Sequence, residues 1–288
     1  MKSLISFILI LLFMLPATPH AESNPPMRVH FIDVGQGDSM LIETPENQFI
    51  LIDGGEPKAG HRLVAFLKKR QVDEIDLLIA THPDIDHIGG LTEVIKQFPV
   101  RQIIDNGQSY GTHTYAAYRM LVFKEKIPVK VAVENESIAL EESLEIKVLH
   151  ASVGENNNQS SIVLKISYDD IDFLLMSDVE AEQEKAIAEK YDIEAEVLKV
   201  AHHGSSSSST LDFLEKANPE AAIISYSKEN RYGHPVHRVI KNLEKLQAQI
   251  FSTAVYGNIV VETDGKSYII LPEMQPMERL IKSIERQG

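Results

Sequence analysis

An α/β (α+β) sandwich of four layers, with two mixed β-sheets face to face and helices on both outer sides, is the fold this sequence predicts. Three observations carry it. The 288 residues are 43% hydrophobic and 24% charged, enough to build one large core or two small ones. Short β-rich runs come in two successive blocks, each interleaved with helical stretches that can cover its own sheet. The low-complexity run Ser205–Ser209 reads as a mobile loop inside the second block, because a boundary there would leave the flanking strands without partners.

The elements follow in order. After the linker Ser23-Asn-Pro-Pro26, runs at 29–34, 39–44 and 49–53 are separated by Gly-Gln-Gly and Pro-Glu-Asn turns, which opens the first sheet as a meander. A helix at 62–70, an apolar strand at 77–80, a helix at 91–98 and a strand at 100–104 come next. The middle holds a helix at 115–126, strands near 129–133, 137–139 and 144–150, and a hairpin from 162–167 to 173–176. A second cycle has a helix at 180–190, strands at 197–201 and 222–225, a helix at 235–246, and closing strands at 258–262 and 268–271.

The two ends differ from this body. Residues 1–21 carry Lys2 as their one charge, an almost wholly apolar run over 4–15, and Pro16-Ala-Thr-Pro-His-Ala21, which is the pattern of a secretory signal peptide. The run is shorter than the roughly 20 residues of a membrane span. Pro19, at −3 to a cut after Ala21, is a poor cleavage signal, so an uncleaved anchor is the alternative. The expected organisation is a signal at 1–21, a linker at 22–27, one main folded domain at 28–275, and a surface helix or tail at 276–288 with its helix at 277–286. The expected place is outside the cytoplasm, with no other membrane segment.

Cysteine is absent, so the fold uses no disulfide and any metal is left to imidazoles and carboxylates. The formal charge of −14, or −15 once Lys2 is removed, repels polyanions at long range and counts against stable nucleic-acid binding. A nuclease is still allowed, since ions in a cleft supply local positive charge.

The strongest motif is Thr81-His-Pro-Asp-Ile-Asp-His-Ile-Gly-Gly90, directly after the strand at 77–80. It places His82, Asp84, Asp86 and His87 within six residues, and Pro83 with the glycine pair predicts a tight loop that aims them into one space. Divalent metals need such convergent donors. A solvated turn with an Asp capping the next helix would explain one His-x-Asp, but not all four residues at a strand end.

This loop resembles the His-x-His-x-Asp-His signature of the metallo-β-lactamase superfamily, with Asp84 in place of the middle His. Phe31-Ile-Asp-Val-Gly-Gln-Gly-Asp-Ser39, Leu51-Ile-Asp-Gly-Gly55, Leu174-Leu-Met-Ser-Asp178, Val200-Ala-His-His-Gly-Ser205 and Tyr232-Gly-His-Pro235 resemble the extracellular hydrolase domain of ComEC/Rec2-type competence proteins. The likeness covers about residues 28–271. The large membrane channel of that family has no counterpart here, so a free-standing secreted form is expected.

The resemblance implies a metallo-β-lactamase sandwich binding one or two divalent ions, zinc or manganese. Asp53 would orient the metal loop, a role that ligand geometry generally requires of some outer group; a plain Asp-Gly-Gly turn is the alternative. Asp178, emerging at a strand end, would bridge two ions, although it also suits a helix cap before Glu180. His202 would be the last ligand, and His203, one strand position on, should face the other way and serve substrate or support the ligands. One expected site is His82, Asp84 and Asp178; the better one is Asp86, His87, Asp178 and His202. The third-motif His is missing, and Asn156-Asn-Asn-Gln-Ser-Ser161 stands there instead. Asn158 is the candidate weak oxygen ligand, with His150 and His113 behind it. Asp33, Gln36 and Asp38 sit in a glycine-rich hairpin, with Asp38 kept as a supporting or substrate group. His234 is expected to open a helix, where an anion is favoured.

The expected activity is hydrolysis by a metal-bound hydroxide, with Asp86 and His234 as catalytic groups. Its substrates are phosphodiesters, such as DNA, oligonucleotides or nucleotides, or another small anion. An amide or lactone hydrolase, β-lactamase action included, is the rival reading, and a non-catalytic metal-binding relative is the third.

Overall fold

The computed structural model describes residues 24–154 and 156–275, so the expected signal peptide and the helix at 277–286 lie outside the described residues. Within them, β1 (Met27–Phe31), β2 (Met40–Glu43) and β3 (Phe49–Ile52) form the predicted meander. After α1 (Gly60–Lys69) the chain returns as β4 (Leu77–Ala80), parallel to β3. It then runs through the one-turn α2 (Ile85–Ile88), α3 (Leu91–Gln97), β5 (Ile103–Asp105), α4 (His113–Lys124) and β6 (Val129–Val131).

The second half starts with the antiparallel ladder β7 (Glu145–His150), β8 (Val163–Tyr168) and β9 (Ile171–Leu175). Next come α5 (Ala181–Lys190), β10 (Val197–Lys199), α6 (Leu211–Ala217), β11 (Ala221–Ile224), α7 (His237–Lys245) and β12 (Gln249–Ser252). The short α8 (Thr253–Tyr256) leads to β13 (Ile259–Thr263) and β14 (Tyr268–Pro272), which rejoin the first sheet beside β1.

Two sheets result, β14-β13-β1-β2-β3-β4-β5-β6 and β12-β11-β10-β9-β8-β7. One apolar cluster, including Phe31, Ile52, Ile79, Val148, Phe173 and Ile223, fills the space between them. A second, with Leu63, Leu67, Leu91 and Tyr118, packs α1, α3 and α4 on the first sheet; a third, with Ile187, Phe213, Leu214, Val239 and Leu243, packs α5, α6 and α7 on the second. This is the four-layer αββα sandwich. β4 is buried along its whole length, because a parallel strand covered on both faces has no polar side to offer. Each large aliphatic or aromatic side chain so buried contributes roughly 1.5–3 kcal/mol.

Several local expectations change. The run at 137–139 keeps only an isolated bridge, Ser137 to Lys147. Helix α6 and strand β12 arise where no periodic signal marked them; their apolar faces are short and become legible only against neighbouring elements. The serine run is pinned, not mobile. Glu184 accepts from Ser209 N (2.5 Å) and Thr210 N (3.1 Å), while Arg238 donates to Ser209 O (2.8 Å) and Ser208 O (2.5 Å).

Candidate metal centre

Five strands deliver the site, and all do so from their C-terminal ends, where open α/β sheets present ligands. Asp53 follows β3, Thr81 and His82 follow β4, Asp178 follows β9, His202 and His203 follow β10, and Ser225 follows β11. Hydrogen bonds across the sandwich fix these ends together: Ser177 Oγ to Thr81 Oγ1 (2.8 Å), His202 N to Ser177 O (2.8 Å) and Ile162 N to Thr81 O (3.0 Å). Asp53, Ser177, His202 and His203 all hold positive φ, at 57°, 46°, 48° and 54°. Such conformations cost about 1–3 kcal/mol each and persist where packing over-determines them.

The side chains converge on one carboxylate. Asp178 Oδ2 lies 3.3 Å from His87 Nε2, 3.5 Å from His203 Nε2, 3.8 Å from His202 Nε2 and 4.0 Å from His82 Nε2. Three triads have ligand atoms within 4.8 Å of one another: His82, His87 and Asp178; Asp86, His87 and His203; and Asp38, Asp178 and His203. Nε2 of His82, His87 and His203 and Oδ1 of Asp178 are buried without a hydrogen-bond partner. Buried polar atoms are normally satisfied. Three unpartnered imidazole nitrogens gathered within 3.3–4.0 Å of Asp178 Oδ2 therefore fit a divalent cation as their missing partner.

Asp53 braces the loop from behind. Its carboxylate accepts from Thr81 N (2.9 Å), Thr81 Oγ1 (2.7 Å) and His87 Nδ1 (2.7 Å), which turns His87 Nε2 toward Asp178. The loop needs glycine at its neighbours. A Cβ on Gly37, whose φ is +111°, would lie 2.0 Å from Asp86 O, and one on Gly90 would lie 2.1 Å from Gly54 O.

Other placements differ from expectation. Asp86 and His87 sit on the helical turn α2, not in an open loop. His203 does not face away: β10 ends at Lys199, and with both histidines in the left-handed region the alternation of a strand no longer applies. His203 enters two triads and His202 none; His202, half-buried, instead has Nε2 3.4 Å from Asn158 Nδ2 and Nδ1 3.2 Å from Ser207 Oγ. Asp84 reaches within 3.7 Å of His82 Nε2 but joins no triad, and Asn157 Nδ2 donates to its Oδ1 at 2.5 Å. Asn157, not Asn158, is thus the amide beside Asp84. His150 Nε2 is spent on Gln159 O (2.8 Å), and His113 is exposed. Helix α7 starts three residues after His234, since Asn230 binds both the N–H and the carbonyl of His234 and keeps it in the preceding loop.

The profile of the Metallo-beta-lactamase superfamily matches residues 32–228. The chain belongs to this superfamily. ComE operon protein 3 of Bacillus subtilis is 29% identical over 272 residues, covering 88% of this chain and 34% of that protein. Recombination protein 2 of Haemophilus influenzae is 27% identical over 253 residues, covering 83% and 29%. The chain therefore spans about a third of the length of the curated relatives it matches. CmlA, a diiron beta-hydroxylase from Streptomyces venezuelae, superposes with a TM-score of 0.54 at 11% identity, over 82% of this chain and 54% of its own. That likeness is one of fold.

Electrostatics of this metallo-β-lactamase cluster follow from burial set against neighbouring charge. Burial, joined by the neighbouring His87, carries the His82 pKa down to about 3, leaving a neutral imidazole with a free lone pair. Burial also pulls His203 down, but Asp178 and Asp38 outweigh it and hold its pKa up at about 10. Asp178 and Asp53 raise His87 in the same way, against burial. Burial would lift Asp178, yet His203 and His87 press it well below the usual carboxylate range. Imidazolium–carboxylate pairs hold the charge of the cluster, so binding a cation would displace protons.

Lys199 escaped the sequence reading. Fully buried, its Nζ lies 2.9 Å from Asp38 Oδ2 and donates to Val200 O at 3.0 Å, while Asp38 Oδ1 faces His203 Nδ1 at 3.5 Å. The signal was present: a lone Lys inside the apolar run Val197-Leu-Lys-Val-Ala201 must find a buried partner.

Proposed function

We propose that this chain hydrolyses phosphodiesters of nucleotides or oligonucleotides with one or two divalent ions, zinc or manganese, held by His82, His87, His203, Asp86 and Asp178. The observation that carries the reading is the donor set. Asp84, 3.7 Å from His82 Nε2, stands where the superfamily signature has an imidazole and sets a third carboxylate beside Asp86 and Asp178, so carboxylates match the three imidazoles around the site, a mixed set that suits manganese as well as zinc and faces phosphoryl oxygens. A bound ion supplies Lewis acidity to a phosphoryl oxygen and brings the pKa of a coordinated water from about 15.7 to roughly 7.

The chain's own groups do the rest. Asp53 and the Thr81 and Ser177 hydroxyls lock His87 and His82 in orientation. To Asp86, more exposed than Asp178 and with Oδ2 3.6 Å from His203 Nε2, this reading assigns acceptance of the proton of the attacking water. His234 stands outside His202, ring centroids 5.6 Å apart; burial, with His202 next, lowers its pKa to about 4, so at neutral pH it meets substrate as a neutral imidazole. We place the activity outside the cytoplasm on the strength of residues 1–21. Among the described residues no helix is long and apolar enough to cross a membrane.

Elemental analysis paired with a substrate panel tests this. Manganese- or zinc-loaded protein is expected to cut bis(p-nitrophenyl) phosphate and short oligonucleotides, and Asp178→Ala or His203→Ala to lose metal and turnover together. Intact diesters alongside an opened lactam or lactone would overturn the reading in favour of acyl hydrolysis.

A further inference from the structure

Tyr232 stands 67% exposed beside the metal centre. One exposed ring needs no explanation by itself. Two features set this one apart. Its loop is braced: Asn230 Oδ1 accepts from Tyr232 N (3.1 Å) and His234 N (3.0 Å), and Asn230 Nδ2 donates to Ser227 O (2.6 Å) and His234 O (2.8 Å). The ring is also stacked on His234, centroids 5.7 Å apart with planes 26° from parallel. It thereby ends a file of rings leading out of the cluster: His87 to His203 at 5.6 Å, His203 to His202 at 6.2 Å, His202 to His234 at 5.6 Å.

A flat aromatic surface held rigid at low entropic cost, one ring beyond an imidazole whose buried Nδ1 has no partner, is what a nucleobase needs when its phosphate lies inward. We infer that Tyr232 and His234 form a nucleobase subsite: His234 meets the phosphate or sugar and Tyr232 stacks the base. Resting on the phosphodiester reading, this narrows the substrate to base-bearing single strands and nucleotides. A duplex keeps its bases stacked on each other and cannot offer one to Tyr232 without unpairing.

Binding separates the subsite from hydrolysis. Calorimetry on metal-loaded protein would compare thymidine 5′-monophosphate with deoxyribose 5-phosphate, which carry the same phosphate and differ in the base. Wild type is expected to prefer the nucleotide about 5- to 150-fold, from the usual worth of one base–aromatic stack. Tyr232→Ala should collapse that preference and leave metal content and deoxyribose 5-phosphate affinity unchanged; Tyr232→Phe should keep it. No preference in wild type, or one that survives Tyr232→Ala, overturns the subsite. A nucleotide preference in a protein that cuts no diester would keep the subsite and reject the hydrolysis.

Discussion

Asp53 shows how much one side chain carries. It is buried, accepts three hydrogen bonds, and fixes both the ring of His87 and the backbone after β4. Asp53→Asn would put a donor where Thr81 N or His87 Nδ1 also donates. Metal affinity should fall about 10- to 100-fold, the usual cost of losing a group that orients a ligand, read by competition with a chromophoric chelator. Unchanged affinity would show that His87 is held by packing alone. Away from the site, His30 is buried on β1 with Nε2 2.8 Å from Glu43 Oε1. Burial lowers its pKa below the ordinary value in spite of Glu43. The folded state then binds this proton less readily than the unfolded chain. The associated stability is complete above about pH 6.5 and is lost as pH falls through the folded value, at up to about 1.4 kcal/mol per pH unit. Urea midpoints of wild type and His30→Gln should converge between pH 6.5 and 5. Parallel curves would assign the acid sensitivity elsewhere.

At the scale of elements, the serine run and α5 act together. Glu184 reaches from α5 to cap the backbone of Ser209 and Thr210, and Thr210 in turn caps α6 by accepting from Phe213 N. Burial raises the Glu184 pKa against those backbone bonds, so the group is held by hydrogen bonding more than by charge. Glu184→Ala would leave two N–H groups unpaired, and about 2–3 kcal/mol of stability should go with them. Calorimetry should then record a Tm lower by roughly 5–10 °C. A shift under about 2 °C would mean that water takes over both bonds. Metal content should hold, because these contacts lie beyond the ligands.

Across the whole molecule, a charge of −14 opposes a polyanionic substrate that the site is proposed to cut. Screening lengths fall from about 30 Å at 0.01 M salt to about 10 Å at 0.1 M. Raising sodium chloride over that range should therefore increase kcat/KM for an oligonucleotide while leaving bis(p-nitrophenyl) phosphate nearly unaffected. This is the reverse of a basic DNA binder, whose affinity falls with salt. A rate that drops with salt would point to a local cationic surface that outweighs the net charge.

The sequence by itself determined the layers, most strands, and the identity of the metal loop, because these rest on local periodicity and on residues packed within a few positions. Strand β4 and the donors His82, Asp86 and His87 are legible in one stretch of ten residues. Tertiary structure alone decided that both adjacent histidines face Asp178, since that turns on a left-handed backbone at 202–203, with His202 N donating to Ser177 O and the His203 ring held at Nδ1 by Ser225 O. It also decided that Asn157 meets Asp84 across 73 residues and that Lys199 neutralises Asp38. Pattern reading sees which side chains are buried or polar; it cannot see which distant partner satisfies them, and in a buried site that partner sets orientation, charge and chemistry.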